Sequence, residues 1–109
     1  MSDWREKPEI DTAAIQALVG AVGETVFRDM RVQFIADLKR LVETYWAALD
    51  RGEPAEARAT AHALKGAAAN IGLTRLSALA SELEANGDQA SDALNAELDV
   101  AIGRLKDAV

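Results

Sequence analysis

Between Glu24 and Asp50 the chain sets apolar residues at Phe27, Met30, Phe34, Leu38, Leu41, Tyr45 and Ala48. This alternation of three- and four-residue steps restricts the fold more than any other feature. Successive helical side chains point about 100° apart, so residues spaced in this way line one face of a helix. A half-buried strand needs alternation by two, and no such run occurs here. The stretch therefore predicts one long amphipathic helix with a single buried stripe. Such a helix needs partners to cover that stripe, and the rest of the chain offers helices. Only two prolines occur, Pro8 and Pro54, and alanine and leucine, both strong helix formers, dominate.

The remaining helices follow from their stops and starts. Asp11 is the expected N-cap of a short first helix running to about Gly20, with Ile15, Leu18 and Val19 inward. It should fold over one end of the assembly. Arg51-Gly52-Glu53-Pro54 ends the long helix and opens a third, Pro54 to Asn70, because glycine suits a helix end and proline the first turn. Its stripe is Ala57, Ala61, Leu64, Ala68 and Ile71. Gly72 stops it, and Thr74 is the expected cap of a fourth helix carrying Leu76, Leu79, Ala80 and Leu83. After the Asn86-Gly87-Asp88 turn, Ser91 is the expected cap of a last helix burying Leu94, Leu98, Ile102 and Leu105. Short connections leave consecutive helices as neighbours. The expected fold is all-α: an up-and-down antiparallel four-helix bundle over residues 11–109 with a short additional N-terminal helix, residues 1–10 forming a tail. Trp4, Tyr45 and Trp46 are expected to pack.

A chain of 109 residues has room for one core. It has no cysteine, which excludes disulfides and thiolate metal sites. The formal charge of −6 argues against nucleic acid, whose binders displace counterions with a positive surface. No apolar run approaches the roughly 20 residues a membrane span requires. Neither nucleic acid nor membrane is an expected partner, and the expected location is the cytoplasm.

His62 is the single histidine. It lies roughly 140° from the centre of the third helix's apolar stripe on the helical wheel, so it should face solvent. Ala55, Ala59, Gly66 and Ala69 share its side, with Arg58 four residues before it and Lys65 three after. From Pro54 to Leu76, Arg58, Lys65 and Arg75 stand against Glu56 alone, a local positive excess in an acidic chain. A solvated imidazole is mostly neutral near pH 7 and offers a lone pair. A lysine one turn away can compensate the charge spread over phosphoryl oxygens. Arg58 could do the same or simply be solvated. Gly66 is the oddity, because a mid-helix glycine costs about 1 kcal/mol relative to alanine. Either helix packing requires it, or a bulky partner must come close to His62.

His62-Ala63-Leu64-Lys65-Gly66, followed by Asn70-Ile71-Gly72-Leu73, resembles the signature of histidine-containing phosphotransfer (HPt) domains. The likeness includes Ala61, the small residues Ala67 to Ala69, and Leu83-Glu84 near the end of the following helix. It extends to Phe27–Leu49, which resembles the family's long preceding helix with paired aromatics. By this resemblance His62 is the phosphoacceptor, Lys65 stabilises the phosphoryl group, and Gly66 clears space for a receiver domain. Arg58 and Ala69 fall on the same docking face. In some members a polar side chain one helix along bonds the imidazole, and Glu84 sits at the matching offset; alternatively it is an ordinary surface glutamate. Ala67 stands where serine is frequent, removing one hydroxyl.

The resemblance implies a phosphocarrier of a multistep two-component phosphorelay, not an enzyme. It would take a phosphoryl group from a phospho-aspartyl receiver of a response regulator or hybrid kinase and pass it to another receiver. No cofactor is expected in this chain, the magnesium ion belonging to the receiver. No Gly-rich nucleotide loop of the G-x-x-x-x-G-K type is present, so ATP should not be used directly. A bridged-metal bundle would need Glu-x-x-His pairs, and Ala59 stands three residues before the histidine. The polar helix faces predict a monomer. The alternative is a protein-binding module of the same fold without phosphotransfer.

Overall fold

Asp11 and Gly23 bound the first helix. In the computed structural model, which describes residues 3–108, α1 runs over Thr12–Val22; the Asp11 side chain accepts from the Ala14 N–H, and Gly23 ends the helix at φ +87°. The helix passes Gly20 and stops where a positive φ is adopted, because glycine takes that conformation without strain. The long helix α2 is Glu24–Asp50, α3 is Pro54–Asn70, α4 is Thr74–Asn86 and α5 is Leu94–Asp107. Short 3-10 segments cover Trp4–Glu6 and Asp88–Ala93. The described residues contain helices and no strand, an all-helical fold.

Packing closes a ring of neighbours: α2 lies against α3 and α5, and α4 lies against α3 and α5. The core they enclose contains Phe27, Leu38, Tyr45, Leu64, Leu79 and Leu105, each 2 % exposed or less. Each such side chain contributes about 2 kcal/mol by leaving water. α1 rests on α2 and fully buries only Ile15, with Leu18 and Val19 half-covered. The guanidinium of Arg31 donates to the Leu105 and Lys106 carbonyls at 3.1 Å each. It satisfies acceptors that the end of α5 would otherwise leave open.

Several details depart from expectation. In α2 the buried stripe passes through Val42, while Met30, Phe34 and Leu41 are only half-buried; a 3.6-residue period drifts from a fixed three-four count. Thr74 does not cap α4: Leu73 occupies the N-cap without a side-chain bond. Leu73 is fully buried, so packing takes precedence over capping there. Ser91 does not cap α5 either. It lies inside the 3-10 segment, where its hydroxyl donates to the Asp88 carbonyl at 2.7 Å. Before α1, Trp4 packs as expected, buried to 6 % exposure with Arg5 over its ring at 4.6 Å, but the segment around it is not a free tail. Arg75 of α4 donates to the Lys7 carbonyl, and Arg104 of α5 to Glu9. Residues 3–10 thus lie against the helices.

Candidate functional site

The middle of α3 is held from both sides by α2 and α4, so residues on its outer face are fixed in place yet open to solvent. His62 projects there with its side chain 67 % exposed. Its buried neighbours Ala61 and Leu64 anchor the turn. From α4, Glu84 reaches across and places Oε2 2.7 Å from His62 Nδ1 and Oε1 2.8 Å from Lys65 Nζ. One carboxylate therefore engages both groups, one oxygen each. The hydrogen bond from Lys65 holds the Glu84 carboxyl below its ordinary range, the His62 contact adding to this and partial burial opposing it.

An ionised carboxylate only accepts hydrogen bonds, so the Glu84 contact requires a proton on Nδ1. In the neutral ring the lone pair then resides on Nε2, the nitrogen facing away from Glu84. The contact fixes the tautomer and the ring's direction, as carboxylates do for metal-bound histidines. Lys65 is steadied from below by Ser77, whose hydroxyl donates to the Lys65 carbonyl at 3.1 Å. Sequence reading passes over Ser77, because its partner lies on another helix and no spacing within α4 marks it.

The other expected site residues fall as follows. Gly66 is exposed, one turn from His62, and a Cβ built there meets nothing within 4 Å. Packing within the chain therefore gives no reason for the glycine. Ala69 is exposed on the same strip, as are Ala55, Ala59 and Ala63. Arg58 is exposed one turn before His62 and, among the described residues, joins neither the carboxylate cluster nor any other ion pair. The structure thus brings His62, Lys65 and Glu84 together and leaves Gly66, Ala69 and Arg58 as surface around them. No three His, Cys, Asp or Glu side chains among the described residues gather as a metal site.

A family model described as the Hpt domain matches residues 29–108. That is well over half of the chain, and it spans α3 with His62 and α4 with Glu84. The chain belongs to the Hpt domain family, whose members are phosphocarrier modules of phosphorelays that interact with receiver domains of two-component systems. Searches of curated proteins and of solved structures gave no match. No helix among the described residues is long and apolar enough to cross a membrane.

Proposed function

We propose that His62 is the phosphoacceptor of a multistep phosphorelay, loaded by the phospho-aspartate of one receiver domain and unloaded by another. The observation that carries this reading is the 2.7 Å contact between His62 Nδ1 and Glu84 on a ring that is otherwise exposed. It leaves Nε2 as an outward nucleophile. In the loading step the Nε2 lone pair forms the N–P bond while the P–O bond to the aspartyl group breaks, and the aspartate leaves as a carboxylate. The ring becomes a phosphorylated imidazolium whose Nδ1 proton stays on the hydrogen bond to Glu84. Lys65 offsets charge on the phosphoryl oxygens. Unloading reverses the step. The magnesium ion belongs to the receiver, and this chain supplies no metal of its own.

Gly66 keeps the surface beside His62 low, so the receiver's acceptor can come in line with Nε2. The neighbour scheme of α2 to α5 supports an antiparallel up-and-down four-helix bundle, working as a cytoplasmic monomer without catalytic turnover. The test is incubation with phosphorylated receiver domains. His62 should acquire acid-labile, alkali-stable phosphate, and His62→Gln should acquire none. A wild-type domain that binds receivers and stays unlabelled would reduce the protein to a docking module.

A further inference from the structure

Arg58 stands apart electrostatically. Every other arginine among the described residues engages a carboxylate or a carbonyl: Arg5, Arg28, Arg40, Arg51, Arg75 and Arg104 form ion pairs, and Arg31 binds the end of α5. Arg58 does neither, although Glu56 lies two residues away. Glu56 is instead taken by Arg51 at 2.9 Å. The guanidinium is left free on the face that bears His62, about 6 Å along the α3 axis from it.

Beside Arg58 the surface opens into an apolar hollow of about 160 Å³. Tyr45, Leu49, Pro54, Ala57 and Leu83 line it, and Arg58 and Asp88 are its charged members. A hollow of this size has room for about one benzene-sized group. The hollow lies where the end of α2, the start of α3 and the end of α4 converge, so three packed elements shape it. Its charges differ in standing: Asp88 opposes a second anion on its own side, and Arg58 attracts one.

Resting on the phosphotransfer reading above, we infer that Arg58 and this hollow form a two-point docking site for the receiver that exchanges phosphoryl groups with His62. The receiver presents one aliphatic or aromatic side chain to the hollow and an adjacent carboxylate to Arg58. Two observations select this occupant. A specific interface covers about 800 Å² on each partner, so a protein seated over Nε2 extends past a residue one helical turn away. The pairing of an apolar recess with a guanidinium that forms no ion pair among the described residues also matches an anchor residue flanked by an acid, and arginine is among the residue types enriched in the strongest interface contributors. Lys65 and Glu84 act on the reacting group; Arg58 and the hollow select who brings it.

The site is tested by following phosphoryl transfer from the receiver that loads His62 fastest, at varied receiver concentration. Arg58→Glu should raise KM about tenfold, corresponding to about 1.4 kcal/mol, with the loss confined to KM. Leu49→Trp, which fills the hollow from its wall, should also raise KM. Arg58 forms no ion pair or hydrogen bond among the described residues that its reversal would break, and thermal unfolding checks that both variants keep the fold. An unchanged KM in Arg58→Glu overturns the proposal. So does an equal loss in loading by phosphoramidate, a donor too small to reach the hollow, since that would place Arg58 on the phosphoryl group. Wild-type protein that no receiver labels defeats the phosphotransfer reading and the docking site with it, whereas failure of the docking site alone shows only in the variants.

Discussion

At the scale of single residues, Gly66 and Glu84 separate folding from function. A Cβ at Gly66 enters open space, so Gly66→Ala should stabilise α3 by about 0.5–1 kcal/mol through helix propensity. Receiver-driven labelling of His62 should slow in the same variant. Thermal unfolding and transfer kinetics on one sample check both halves, and a destabilised Gly66→Ala would contradict the open surface seen here. Glu84 gives a pH signature. Its carboxyl titrates below the ordinary range, chiefly through the hydrogen bond from Lys65. A depressed carboxyl stabilises the fold at pH values above its unfolded value, and that contribution fades as pH falls through the folded value. The unfolding free energies of wild type and Glu84→Gln should therefore differ by a constant amount at neutral pH and converge on acidification. A difference that persists unchanged into strong acid would mean the carboxylate's charge is not what matters. The outward placement of His62, Lys65 and Gly66 was legible from spacing, because they share one helix and its period places them; the roles expected of them came from the family resemblance. Glu84 stood open between two roles, since helical spacing cannot show what lies across from another helix.

At the scale of elements, junctions were harder to read than helices. The stripes of α3 and α5 fell where three-four spacing put them, but Thr74 and Ser91 illustrate why polar residues near a start are weak guides. Each can bond its own neighbourhood instead of the helix end. Gly72 shows a junction with a stronger constraint. Its φ is +75°, and an added Cβ would lie 3.2 Å from the Asp11 carbonyl oxygen and 3.3 Å from Ala14 Cβ. The Asp11 N–H also donates to the Gly72 carbonyl at 2.6 Å. The turn between α3 and α4 is thus clasped by the start of α1. Gly72→Ala should destabilise by about 1–2 kcal/mol from backbone conformation alone, with crowding against α1 adding to it. Urea unfolding measures the loss; a neutral substitution would show that α1 yields easily. Gly66 and Gly72, six residues apart, should therefore respond to alanine with opposite signs.

Across the whole molecule, the segment before α1 is the part least visible in sequence. Residues 3–10 carry mixed charge and a proline, with no period to reveal a packed face; Trp4 was expected to pack and is buried, but nothing local announced that Glu9 pairs with arginines of α4 and α5. These contacts depend on side chains more than 60 residues away, which local patterning cannot report. Trp4→Ala should cost about 3 kcal/mol, the usual scale for removing a buried aromatic, and lower the urea midpoint accordingly. A loss below 1 kcal/mol would mean the segment lies on the surface without being held. The placement of His62 has a wider consequence. Its backbone belongs to the interior of a 17-residue helix, clamped by two neighbours. On the proposed phosphotransfer reading, a nucleophile mounted on so stiff a beam has no clock of its own. The moment of each exchange is then set by how often a visitor arrives and how long it stays, so the throughput of such a carrier is governed by its abundance and that of its visitors.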